Sequence, residues 1–389
     1  MPGPDDAKPV DAASAHAGVP RSSADRIVFA NQLRGLCVIS VMLVHYTTVV
    51  HYMRADVAWV VAAPPLDTPI SPIALWVYPS WLDLGKVGVS AFFLISGFVI
   101  PFSLQRSGRG AFLLARVLRI YPTFWLALLA EALIIAADGH YWHRPPAYGL
   151  GAYLVNGLLI ETPLGRPTVD WVSWTLSIEV KFYLLAALLR PWLLARRVWP
   201  LMLVAMAALL VNALQGAGRI HLPVQLVSEL MYLGYILIGI LFHYHYEKAL
   251  SGTRLLAGTL ALAAIFFAGY ALGPTGADAG SPHTASYGIA ILVFAASYAM
   301  RARFRPNRVL DGLAAISYPL YLVHSAFGFT IISFLIMAWH VPYPVAALVA
   351  AASAFALATA LHVGIERPTI RLGHRLRRAL TRWDARSAG

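Results

Sequence analysis

Residues 29–46, FANQLRGLCVISVMLVHY, decide how the chain is read. The segment is apolar and long enough to cross a bilayer, yet it carries Arg34 and His45. Ionisable side chains inside lipid are costly unless they pair, face a bundle interior or serve a site, so each is a functional hypothesis by default. The eleven residues from Arg34 to His45 make roughly 16 Å of helix, about half of a ~30 Å hydrocarbon core. The rest of the chain has to supply their partners.

Composition agrees with a membrane setting. Of 389 residues, 59% are hydrophobic and only 12% are charged, and the mean hydropathy is +0.66. That balance lies outside the soluble globular range and indicates an all-α, polytopic integral membrane protein in contact with the lipid bilayer. The net charge of +12 comes from arginines in short runs between apolar segments. Membrane topology accounts for such runs before nucleic acid does, so no nucleic-acid partner is expected. The single cysteine, Cys37, excludes an internal disulfide and reads as a small packing residue. No metal is expected either: no H-x-x-x-H or H-E-x-x-H pair is present, and His243 and His245, two apart, point away from each other on a helix.

Ten apolar segments read as transmembrane helices, at 28–49, 85–104, 120–137, 172–190, 198–214, 223–243, 254–272, 286–300, 314–338 and 343–365. An even number puts both termini on one side. Residues 1–24, rich in Ala, Pro, Asp and Ser, read as a disordered cytosolic tail, 25–370 as a single transmembrane domain, and 371–389 as a basic cytosolic tail. Of the 30 Lys and Arg, 23 fall on the side of the N-terminus and five on the other, with Arg34 and Lys181 inside spans. Basic residues mark the cytoplasmic face, so both termini are assigned there and the protein to the inner (plasma) membrane. The stretch 148–160 is short and glycine-containing and reads as re-entrant or interfacial. The long outer loops 51–84 and 138–171 suit an extracytoplasmic ligand or a lid. The absence of an evident internal repeat counts against transporters built from inverted repeats.

Helical rise gives the polar residues a depth. His45 falls about 13 Å and Glu179 roughly 12 Å from the outer edge, and His324 about 16 Å from the inner edge. Ser96 lies near mid-depth as well. Ser317, Tyr321 and His324, spaced i, i+4, i+7, share one helical face. A histidine can take a proton from a hydroxyl at neutral pH, and a carboxylate can orient it and stabilise the imidazolium. Acyl transfer from a thioester to an alcohol needs that equipment. Arginines at the inner mouth can hold the phosphates of acyl-coenzyme A while its thin pantetheine arm reaches upward. Blander readings compete: the arginines of 106–119 are topogenic taken singly, His324 can simply bridge helices, and Lys181 suits pairing with a carboxylate or snorkelling.

The motifs RGLCVISVMLVH at 34–45, GVSAFFLISGF at 88–98, RVLRIYPTFW at 116–125, WTLSIEVKFYLL at 174–185, ISYPLYLVH at 316–324 and ERP at 366–368 occur in one order along the chain. In these the sequence resembles the acyltransferase-3 family, membrane O-acyltransferases that include bacterial O-antigen, Nod-factor and macrolide O-acyltransferases. The resemblance implies a ten-helix fold and an acyl group, acetyl in the simplest case, moved from cytosolic acyl-CoA as co-substrate to a hydroxyl, commonly of a sugar. It also implies an essential Arg34 and His45 and functional polar positions at Ser96, Arg116, Arg119, Trp174, Ser177, Glu179, Tyr321 and His324. Ser90 stands where many members have Asp, and Lys181 where Gln is common.

These readings combine into an expectation: His45 as general base or transient acyl acceptor, Glu179 as its electrostatic partner, and Arg34 positioning the donor from below. Arg34, Arg116, Arg119, Ser96, Tyr321 and His324 are expected to bind acyl-CoA. The competing reading is a transporter or exporter of a small polar or acylated compound, with the same charges lining its path. The acceptor, the acyl group and any homo-oligomer are left open by the sequence.

Overall fold

The computed structural model describes residues 27–274 and 282–387, so the expected tail 1–24 lies outside the described residues. Everything described is helix, turn or loop, with no strand. The first helix, α1 (Val28–Val44), runs on through a π-helical turn, His45–Val49. Next come α2 (Leu84–Gln105), α3 (Arg109–Tyr141), the short α4 (Leu150–Gly157) and α5 (Ser173–Leu188). They are followed by α6 (Trp199–Gly216), α7 (Val224–Tyr246), α8 (Gly252–Leu272) and α9 (Ala285–Ala299). The chain ends with α10 (Arg308–Val323), α11 (Ala326–Trp339), α12 (Tyr343–Leu361) and α13 (Arg367–Ser387).

Each of the ten expected segments carries a helix, but they are not ten equal spans. Among the described residues seven helices are long and apolar enough to cross a membrane, or eight if the bent pair α10–α11 is one span. The helices α5 and α9 have only 16 and 15 residues. The segment expected as one helix at 314–338 is broken by 68°. The break has a local cause. His324 ends α10 by turning its side chain back to the carbonyls of Leu320 and Tyr321, the first of which also accepts the His324 backbone N–H, and Ser325 leaves helical geometry at φ −73°, ψ −104°. The segment 148–160 contains only the eight-residue α4, too short to span.

The core is organised around α1, which packs between α2 and α10. Gly35 makes that possible on one side, because a Cβ there would lie 2.9 Å from the Ala314 backbone nitrogen. The α2–α7 crossing is tighter still: a Cβ on Gly97 would run into the Ile236 carbonyl, and one on Gly239 into that of Leu94. Without a hydrophobic drive between helices in lipid, such backbone approach is what holds neighbours together. Polar side chains start several helices. Asp83 caps α2 by accepting from Lys86 N at 3.0 Å, and Asn307 caps α10 by accepting from Val309 N and Leu310 N.

Candidate active site

The site begins with a defect in a helix. At His45 the backbone of α1 widens into the π-helical turn His45–Val49. Such turns expel a carbonyl from the regular ladder and are frequent at functional positions. The Tyr46 carbonyl is met from outside by the hydroxyl of Tyr343, while the Thr47 hydroxyl donates to Leu43 O at 2.7 Å. His45 is thereby presented to a chamber, the outer one in the expected topology, with Thr48, Trp171, Trp174, Tyr232 and Tyr321 among its walls. Asp83 and Lys86, at the start of α2, line the same chamber.

His324 reaches His45 from the break between α10 and α11. The ring centroids are 4.9 Å apart and the planes 33° from parallel. His45 also stacks on Phe329, the first turn of α11, at 5.8 Å. His45 Nδ1 and His324 Nε2 are both buried without a hydrogen-bond partner.

A second chamber is the inner one in that topology. Arg34, Ser96, Arg119, Glu179, Tyr183 and Tyr318 line it, and it shares Val89 and Tyr321 with the outer one. Tyr321 therefore stands between the two, fixed by the Thr175 hydroxyl donating to its own at 3.0 Å. Below, a further compartment shares Arg34 and Arg119 and adds His362 and Glu366. His362 Nδ1 lies 2.6 Å from Glu366 Oε2 within a second π-helical turn, His362–Glu366. Among the described residues neither Arg34 nor Arg119 has an ion-pair partner within 4.0 Å. Two guanidinium groups that face a cavity without a direct counter-ion make it receptive to an anion.

The structure thus divides the residues that depth arithmetic put on one level. Ser96 and Glu179 meet, with Ser96 Oγ donating to Glu179 Oε1 at 3.5 Å, but they do so in the inner chamber. His45 and His324 meet above, and the ring beside His45 is an imidazole where the carboxylate of Glu179 was expected. Glu179 is engaged by the hydroxyl of Tyr183, one turn further along α5. That i, i+4 spacing was available in the sequence as a signal for Tyr183. Arg116 turns aside: its Nη2 donates to Ser103 Oγ at 3.1 Å and its guanidinium sits over the rings of Phe112 and Tyr183. Ser177 and Lys181 belong to a separate buried network, in which Lys181 Nζ donates to Ser177 Oγ at 2.6 Å and pairs with Glu229 at 2.8 Å.

Comparison with known proteins meets this geometry from another direction. Acyltransferase MdmB of Streptomyces mycarofaciens is 34% identical over 113 residues, 26% of this chain and 27% of that protein. Nodulation protein 10 of Rhizobium leguminosarum bv. viciae is 32% identical over 156 residues, 34% of this chain and 40% of that protein. The chain thus spans well under half the length of either relative in these matches. No solved structure matches. The family profile described as "Acyltransferase domain" matches residues 27–363, from the start of α1 to the second π-helical turn, and so takes in both histidines and both chambers. With far more than half of its length matched, the chain belongs to the acyltransferase-3 family.

Proposed function

We propose that the protein is a membrane O-acyltransferase that takes an acyl group, acetyl in the simplest case, from cytosolic acyl-CoA and places it on a hydroxyl of a sugar or glycosylated acceptor. In this reading residues 25–370 form one domain that crosses the plasma membrane ten times, α5 and α9 included, with both termini in the cytoplasm. The observation that carries it is the pair of guanidinium groups, Arg34 and Arg119, which among the described residues have no ion-pair partner within 4.0 Å and line a chamber that meets the His45 chamber only through Val89 and Tyr321. An anionic diphosphate held at Arg34 and Arg119 leaves the pantetheine arm about 16 Å of helix to climb before its thioester reaches His45. The aromatic walls of the outer chamber, Trp171, Trp174, Tyr232 and Tyr287, offer flat apolar faces to a sugar ring, and Asp83 and Lys86 offer polar ends to its hydroxyls.

The chemistry balances without a further reactant. His45 Nε2 takes the acceptor's hydroxyl proton as the oxygen attacks the thioester carbonyl. The C–S bond then breaks, and the departing thiolate recovers that proton from His45. The test is detergent-solubilised protein with radiolabelled acetyl-CoA. His45→Ala is expected to bind the donor and fail to transfer the acetyl group, while cells lacking the gene lose an acyl mass increment from surface glycans or secreted metabolites. A fully active His45→Ala protein, or transport of a solute down a gradient with no thioester cleaved, overturns the reading.

A further inference from the structure

We infer that His324 is the positioning partner of His45: its Nε2 accepts the Nδ1–H of His45 and holds the base in the tautomer, and later the imidazolium, that acyl transfer requires. The inference rests on His45 being the base. Its grounds are independent of that reading and begin with the tautomer of His324. Nδ1 of this ring lies 3.1 Å from Leu320 O and 2.8 Å from Tyr321 O. Carbonyl oxygens only accept, so Nδ1 carries the hydrogen and Nε2 of the neutral ring carries a lone pair. That lone pair is buried and unpartnered.

A helix cap explains one nitrogen and not the other. If His324 served only to end α10, Nε2 would be a buried acceptor left unsatisfied, a desolvation cost with no return. Beside it, 4.9 Å between ring centroids, His45 has the complementary deficit, a buried Nδ1 with no acceptor. One hydrogen bond between the two would satisfy both deficits. His45 Nε2 is then the lone pair on the chamber side, in position to receive the acceptor's proton. During transfer the proton passes from the acceptor hydroxyl to His45 Nε2 and from there to the leaving thiolate. The Nδ1–H stays on His45 throughout, and His324 stays neutral. A neutral imidazole fills the place that a carboxylate holds in a serine-protease triad, which leaves Glu179 to the inner chamber where it is found.

Two amide substitutions separate the roles, because an Asn amide reaches the position of Nδ1 and a Gln amide that of Nε2. H324N keeps a donor for the α10 carbonyls and removes the acceptor facing His45; H324Q does the reverse. The assay is release of CoA thiol from acetyl-CoA with methyl glycosides or water as acceptor, alongside KM for acetyl-CoA and the melting temperature. Positioning predicts that H324N keeps its melting temperature and its KM within about threefold and loses about 100-fold in kcat, in the range of general-base effects. H324Q is then the less stable and at least about tenfold the more active of the two. A capping role alone predicts the opposite order, with H324N near wild type in kcat, and that order overturns the inference. If H324N is not recovered folded, a folded H324Q as inactive as H45A overturns it as well. Activity retained in H45A instead removes the base assignment, so the two failures read differently.

Discussion

Lys181 Nζ lies 2.8 Å from Glu229 Oε2, with the two side chains 18% and 3% exposed, and this ion pair ties α5 to α7 inside the bundle. The Thr162 hydroxyl donates to the same carboxylate at 2.9 Å and accepts from Lys181 Nζ at 3.1 Å, so the outer loop before α5 is fastened to the pair. Removing one partner of a buried pair leaves the other charge uncompensated, at a cost of about 3–5 kcal/mol, whereas removing both charges is often nearly neutral. Glu229→Gln and Lys181→Gln are each expected to lower the melting temperature in detergent, and the double variant to recover most of the loss. Additive losses in the double variant would show that the pair does not couple.

The proposed donor site separates Arg34 and Arg119 from Arg116. With the donor held as proposed, Arg34→Ala and Arg119→Ala are each expected to raise KM for acetyl-CoA about 10- to 100-fold, with folding yield little changed. Arg116 holds Ser103 and covers the rings of Phe112 and Tyr183. Arg116→Ala is therefore expected to lower the melting temperature and leave KM within about threefold. Titration of each purified variant with acetyl-CoA decides, and a KM defect in Arg116→Ala equal to that of Arg119→Ala returns Arg116 to the donor site.

Much of this arrangement was legible before any coordinates. Apolar length placed a helix in each of the ten expected segments, although 314–338 is two helices and the basic tail expected from 371 is helical as α13, and the cost of Arg34 and His45 in lipid singled out two residues that line cavities. Two things were not legible. Depth along a helix is one coordinate and says nothing of which way a side chain turns, so Glu179 and His45, computed to the same level, face different chambers. The break after Val323 was hidden because its cause is a side-chain cap: the i, i+4, i+7 face through Ser317, Tyr321 and His324 assumed a helix that His324 itself ends. Lys181 was read as pairing with a carboxylate or snorkelling; it pairs, but with a partner 48 residues away, on a helix that sequence periodicity cannot place beside it.

A buried carboxyl in the loop between α4 and α5 leads to a prediction about pH. Glu161, between α4 and α5, is fully buried, and burial pushes its carboxyl from about 4.5 up to about 7, against the opposing pull of Lys181. A raised carboxyl means that the folded state holds a proton the unfolded chain has released. Its contribution is fully present below about 4.5 and is lost as pH rises through about 7. The melting temperature should therefore fall between pH 5 and pH 8, assay values spanning about that window, and Glu161→Gln should flatten this part of the profile. A variant with the wild-type slope would assign the dependence to another group.

The π-helical turn at His45 leads to the last prediction. Its Tyr46 carbonyl is satisfied by Tyr343 at the start of α12, 297 residues away, which makes the presentation of His45 depend on a contact outside α1. Tyr343→Phe keeps the ring that packs against His51 at 4.6 Å and removes only the hydroxyl. Losing that donor costs stability of about 1 kcal/mol. It also frees the turn to return to α-helical register, which rotates His45 by a fraction of a turn relative to the chamber. The expected outcome is a kcat reduced about tenfold or more, since small misplacements of a catalytic group are expensive, with KM for acetyl-CoA unchanged because Arg34 lies below the turn. Steady-state kinetics of Tyr343→Phe check this, and an unchanged kcat would mean that the turn holds its shape through α1 alone.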